Sequence, residues 1–172
     1  MRIEKGPVVL RDFTVDDVPL KVKWINDPNN NEFLHYDIPL CIEKTKEWFA
    51  NKDNSRRYDC VIEYNGVPVG LIGLLSLDKK NSKAEYYISI GEDDYKKKGI
   101  ATCATRMILH FAFFELHLHK VYLNVDEQND AACRLYEKTG FICEGFFSDD
   151  LVKEGVFINR KRYAIFDTMV LI

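Results

Sequence analysis

Nowhere in this sequence do about 18 apolar residues run together, and the opening MRIEKGPVVLRDF holds only a short apolar piece interrupted by Arg11. No membrane-spanning helix and no N-terminal export signal are expected, and a cytoplasmic protein is. Basic excess is also missing. A formal net charge of −3 and a pI near 5.8 argue against a nucleic-acid binder, whose phosphate contacts need a basic face. The five cysteines, Cys41, Cys60, Cys103, Cys133 and Cys143, include none of the close pairs that zinc sites or disulfide frameworks show. They read as reduced thiols, and no metal is expected. A cysteine nucleophile stays formally open, with His110, His117 and His119 on or just after the helix-like stretch that carries Cys103. Repeats, low-complexity tracts and linkers are absent, as are the Walker loop and the GxGxxG fingerprint.

What is present is an ordinary folding balance. Of 172 residues, 47% are hydrophobic and 30% charged, enough apolar side chain for one domain, residues 1–172, to fold without metal or disulfide. The apolar pattern places a strand over 8–13, a helix through Leu20 and Trp24, a mixed loop over 26–40, and a second helix at IEKTKEWF. Two strand-like runs, 58–64 and 67–77, flank Asn65-Gly66, a strong hairpin signal. A third run, 84–90, completes an antiparallel meander. From Gly99 to Leu116, Ile100, Ala104, Met107, Ile108 and Phe111 recur at helical spacing. A strand at 120–125, a helix at 130–138 stopped by Gly140, and two last strands ending at 163–171 follow. The order is β-α-α-β-β-β-α-β-α-β-β, a mixed α/β domain.

The stretch ISIGEDDYKKKGIAT runs from a strand through a polar turn and Gly99 into the long helix. Unpaired amides and the positive end of the helix dipole make such a turn a receptor for phosphate. Lys96, Lys97 and Lys98 add charge. The plainer alternative is that Gly99 relieves a tight turn and the lysines form a solvated loop.

YKKKGIAT resembles the Y-[QRK]-x-x-G-[IL]-[AG]-T pyrophosphate loop of the GNAT superfamily of N-acetyltransferases. LRDFTVDD resembles the opening of its Rim-like and spermidine acetyltransferase branches, SKAEYYISI their fourth strand, and LNVDEQNDAACRLYEKTGFICEG their Asn and Tyr motif. The four stretches stand in the family's order, and the match spans essentially the whole chain. Lys96 stands where the family more often has Gln or Arg, and GEDD is one residue longer than usual.

The resemblance implies a single-domain GNAT-like fold, with a mixed, mostly antiparallel sheet flanked by helices on both faces. It implies acetyl-CoA as co-substrate, paired with Ile88, Ser89 and Ile90 and held at its pyrophosphate by the amides from Lys96 through Lys97, Lys98, Gly99, Ile100 and Ala101 to Thr102. Asn129 would bond the pantetheine or shape its turn, and Tyr136 would act as general acid to the departing thiolate. A backbone N–H near Ile88 would meet the oxyanion. A primary amine is almost fully protonated at neutral pH and must lose a proton before it attacks, and the resemblance gives Glu85 that task, directly or through water. As a bland alternative, Glu85 is a surface charge at a strand start.

Acceptor specificity is expected in the loop from Trp24 to Tyr36, which holds Asp27, Glu32 and His35, with Asp37 just beyond it. Trp24, Glu32 and Tyr36 are candidate acceptor contacts, since carboxylates beside aromatics suit a cation. The acceptor is expected to be a small-molecule amine, such as a polyamine or amino sugar, or else a protein N-terminus. Two further readings stay open: a non-catalytic acyl-CoA-sensing domain, and a homodimer formed through the final edge strand.

Overall fold

Alternation along the strands decides which side chains point to which layer. The computed structural model describes residues 1–169. Its strands are β1 (Arg2–Lys5), β2 (Val8–Asp12), β3 (Tyr58–Tyr64), β4 (Val67–Asp78), β5 (Lys83–Ile90), β6 (Lys120–Asp126), β7 (Ile142–Lys153) and β8 (Val156–Phe166). They form one sheet in the order β1-β2-β3-β4-β5-β6-β8-β7. Every neighbouring pair is antiparallel except β5 with β6. Asn65 and Gly66 join β3 to β4 with φ of 51° and 78°, the doubly left-handed turn that suits a twisted hairpin.

The helices are α1 (Val18–Asn26), α2 (Pro28–Asn31), α3 (Ile42–Asn51), α4 (Ile100–His110) and α5 (Asp130–Lys138). On one face of the sheet Leu10, Ile62, Ile72 and Leu123 pack with Ile100, Ala104 and Ile108 of α4 and Tyr136 of α5. The other face is smaller: Phe13, Val61 and Leu71 pack with Val18 and Trp24 of α1, and with Trp48 of α3 at its edge. Each large aliphatic side chain buried this way contributes about 1.5–3 kcal/mol, so this layered packing holds α4 and α5 in place.

The structure departs from the sequence expectations in four places. Strand β1 was not anticipated, because four residues show too little period. Strand β8 ends at Phe166, before a short 3-10 turn over Asp167–Met169, and the remainder of the expected strand, 170–171, lies outside the described residues. At this end the sheet edge is β7, with β8 inside it, so the final strand is not an edge strand. Within the expected loop 26–40, Asp27 caps α2 by accepting a hydrogen bond from Asn29.

The pairing that matters most for function is incomplete. Parallel bonds between β5 and β6 join only Lys83, Ala84 and Glu85 to Lys120, Val121 and Tyr122. Beyond Glu85 the strands part, and the β6-facing edge of residues 86–90 keeps backbone groups without a strand partner. Unpaired peptide groups at a strand edge accept an added strand. The opening is a wedge whose closed end is at Glu85.

Candidate active site

The wedge continues into a cavity of about 790 Å³, within the roughly 300–1,000 Å³ range of small-molecule and cofactor sites. One wall is β5 and the turn into α4. Gly99 caps α4 with φ 78°, and Lys97 is also left-handed at 60°. Among the described residues, no backbone carbonyl accepts from the amides of residues 97–102. They are the donors that an incoming phosphate needs. The left-handed conformation at Gly99 is one that a side chain would strain.

Ile88, Ser89, Ile90, Lys96, Lys97, Gly99, Ile100, Ala101, Thr102 and Asn129 all line this cavity, and Tyr136 joins them. Lys98 does not: its Nζ lies 5.3 Å from the centre of the Tyr95 ring. Lys96 Nζ donates to Asn30 Oδ1 at 2.7 Å and to Asp93, which ties the phosphate turn to α2. Asn129 caps α5, its Oδ1 accepting from the Ala132 amide at 3.2 Å. That is a turn-shaping role.

Tyr136 is 8% exposed and packed among Tyr86, Phe141 and Tyr163. Burial, with a smaller push from Cys133, holds its phenol well above the ordinary range, so it is a neutral O–H donor. Its hydroxyl has no partner among the described residues yet is not sealed in, because no fully buried side-chain oxygen or nitrogen lacks one.

The opposite wall comes from the loop after α2 and the end of β6. Phe33, Leu34 and His35 of that loop line the cavity together with Asn124, Val125 and Asp126 of β6. His35 Nε2 lies 2.7 Å from Asp126 Oδ1, the carboxylate side chain only 7% exposed. With the carboxylate accepting, Nε2 carries the hydrogen and Nδ1 presents its lone pair. Lys153 fixes the loop by donating from Nζ to the carbonyls of Asn31, Glu32 and Leu34.

Other sequence candidates lie elsewhere. Glu85 sits at the closed end of the wedge beside Tyr122, outside the cavity lining. Trp24 is a core residue, 3% exposed, its ring so close to Gly91 that a β-carbon there would fall 2.2 Å from it. Its Nε1 donates to Glu92 Oε1 at 2.7 Å, so it supports the phosphate turn from beneath. Glu32 borders an adjoining side pocket of about 230 Å³ that shares Phe33 and Asp126 with the main cavity. Tyr36 stands over Lys21, 5.8 Å from its Nζ, away from the cavity. The sequence reading named His35 as a loop residue without a role and passed over Asp126. Their pairing spans 91 residues, and no local signal marks it.

A strand edge left open, free amides beyond it and a neutral phenol from α5 line one cavity, a shape and chemistry suited to an extended, phosphate-bearing ligand. Known proteins agree with that class. The model of the acetyltransferase (GNAT) domain matches residues 8–142. The spermidine N(1)-acetyltransferase of Escherichia coli (strain K12) is 34% identical over 148 residues, 86% of this chain and 74% of that protein. The Vibrio cholerae spermidine N(1)-acetyltransferase is 31% identical over 156 residues, 87% and 90% of the two chains. A crystal structure of Vibrio cholerae spermidine N-acetyltransferase in complex with CoA and spermine superposes with a TM-score of 0.88, covering 96% of this chain and 98% of that one, at 23% identity. The chain belongs to the GNAT acetyltransferase family. It is an acetyl-CoA-dependent N-acetyltransferase, with the open mixed sheet expected from its motifs.

Among the described residues no group of three or more His, Cys, Asp or Glu side chains could hold a metal ion. No helix there is long and apolar enough to cross a membrane.

Proposed function

We propose that the chain acetylates a primary amine of a small polyamine of the spermidine type, with Tyr136 and His35 handling the protons. The observation that carries this reading is the cleft with two chemically different walls: backbone donors and a neutral phenol on one side, a His–Asp pair on the other. The acceptor class is supported by the spermidine acetyltransferase relatives. Carboxylates at the acceptor end suit it too: Asp126 lines both pockets, and Glu32 and Glu127 border the side pocket.

Acetyl-CoA supplies an acetyl group already activated as a thioester. The open edge of β5 at Ile88, Ser89 and Ile90 aligns an extended ligand, and the amides of residues 97–102 hold phosphate oxygens by directed hydrogen bonds. As the nitrogen bonds to the acetyl carbon and the C–S bond breaks, Tyr136 donates its phenolic hydrogen to the leaving sulfur and is restored by the second proton that the new amide nitrogen sheds, a modest task because a thiolate whose thiol has a pKa near 8.5 already leaves readily. His35 Nδ1 takes the proton from the incoming ammonium, and Asp126 steadies the imidazolium so formed. In this reading the base is His35 rather than Glu85, which lies outside the cavity lining.

The test is thiol release from acetyl-CoA against spermidine, spermine, amino sugars, aminoglycosides and short peptides, with wild type and Tyr136→Phe. Amine-dependent release led by the polyamines, and reduced in the variant, is the expected result. Release led by another amine class would sink the polyamine assignment. Tight coenzyme binding without turnover on any amine would instead make the chain an acyl-CoA sensor.

The relatives bear on assembly as well, since the Vibrio cholerae enzyme has a dodecameric structure. Self-association of this chain would use the β7–β8 hairpin, where Phe146, Val152, Val156 and Phe157 are half exposed or more.

A further inference from the structure

On the α1–α3 face of the sheet lies a basin of cations that the acetyl transfer does not use. Lys21 is only 8% exposed, and its ammonium makes no hydrogen bond or salt bridge to the described residues. Instead Nζ stands 3.6 Å above the centre of the Trp48 ring, with Phe13 at 5.9 Å and Tyr36 at 5.8 Å. Arg57, at 5.0 Å, and Lys52, at 5.9 Å, share the same Trp48 ring.

The carboxylate in reach is Asp59, and its oxygens are already engaged. Oδ2 accepts from Lys52 Nζ at 3.0 Å and Arg57 Nε at 2.7 Å; Oδ1 accepts from Arg57 Nη2 at 2.7 Å and Tyr87 Oη at 2.9 Å. Three cations therefore face one carboxylate, and Lys21 has no acceptor among the described residues. A buried ammonium without a counter-charge is unfavourable, and a cation–π contact offsets only part of that cost. Burial lowers the Lys21 pKa to about 8, with Asp59 opposing the shift and Arg57 and Lys52 adding to it. Yet the ammonium is not sealed, since no fully buried side-chain nitrogen lacks a partner. The Arg57 side chain, 23% exposed, and Tyr36, 43% exposed, leave a way in.

We infer that this basin is a binding site for the oxyanion of a small ligand, a phosphate or carboxylate group held by Lys21 and Arg57 beside Trp48 and Tyr36. The anion takes the position the protein leaves without negative charge, and guanidinium and ammonium together suit it. Tyr87 stands between the basin and the reaction cleft: the residue is part of the cavity lining, and its side chain packs on the α1–α3 face with its hydroxyl donating to Asp59. The anion belongs either to a metabolite separate from the polyamine or, in place of the polyamine reading above, to the acceptor amine itself.

Inorganic phosphate is the probe, titrated by calorimetry into the full-length protein saturated with CoA so that the α4 turn is already occupied. Binding is expected in wild type and should weaken at least tenfold in both Lys21→Met and Lys21→Gln, with CoA affinity unchanged as the sign that the fold is intact. No binding in wild type, or equal binding in both variants, overturns the site. Turnover then separates the two sources. If the acceptor carries the anion, glucosamine 6-phosphate outperforms glucosamine at least tenfold in kcat/KM and Lys21→Met erases the gap. If the anion is separate, phosphate changes spermidine turnover in wild type and not in Lys21→Met. The phosphate titration needs no turnover, so an inactive protein would refute the acetyltransferase reading without touching this one.

Discussion

The two walls of the cleft are built by different means. The wall proposed for the coenzyme is one continuous stretch, Ile88 to Thr102, which offers backbone amides and a strand edge. The acceptor wall is made of side chains from segments far apart in the chain, above all His35 and Asp126. A backbone site tolerates side-chain change as long as the turn keeps its shape. A side-chain site depends on each group and its partner.

The sharpest way to break this contrast is to remove the acceptor-wall base. His35→Ala is expected to lower kcat by about 10²–10⁴-fold, the usual range for general acid–base catalysis, while leaving the CoA dissociation constant unchanged. Added imidazole should restore part of the rate, and no rescue would reduce His35 to a loop prop. Next comes Tyr136→Phe, expected to cost roughly 10–1000-fold in kcat with unaltered coenzyme affinity, measured by steady-state thiol release.

Support beneath the coenzyme wall is probed by Gly91→Ala, whose new β-carbon would strike the Trp24 ring. A loss of about 1–3 kcal/mol in urea unfolding is expected, with weaker CoA binding because the turn rests on that ring. Acid sensitivity should be smaller. Burial works against the Asp59 charge, but hydrogen bonds from Arg57 and Lys52 outweigh it and hold its pKa below the ordinary carboxylate range. A carboxyl lowered on folding contributes stability above its unfolded pKa of about 3.9, lost as pH falls toward the folded value. Asp59→Asn should flatten that acid limb in thermal scans between about pH 5 and pH 2. Smallest of all, Lys98→Met should change CoA affinity less than about twofold, since that side chain sits on Tyr95 outside the cavity and exposed charges contribute little.

Much of the coenzyme wall was legible because its determinants are local. Gly99 before an amphipathic run and an apolar strand just upstream already describe a turn that leaves helix-start amides free, and the helix found at Ile100–His110 follows the apolar spacing. Lys98 shows the limit of that logic: adjacency in the turn did not decide which lysines face the cavity. On the acceptor side, Trp24 and Tyr36 looked like ligands because aromatics in a polar stretch attract attention. Trp24 instead fills the space that Gly91 leaves, and Tyr36 covers a lysine on the neighbouring helix.

By itself the sequence determined the order of the strands and helices from Val8 onward apart from the short α2, the glycine turn that opens the long helix, and the family to which the chain belongs. Those depend on period, glycine placement and backbone donors over short stretches. Only the tertiary structure decided which charges meet. It opened the wedge where β5 and β6 stop pairing, set His35 against Asp126, and left Lys21 without a counter-ion among the described residues because Asp59 was already taken by Arg57, Lys52 and Tyr87. Hydrogen-bond and charge partners are chosen by proximity in three dimensions, and a linear pattern carries no distance between residues that the fold alone brings together.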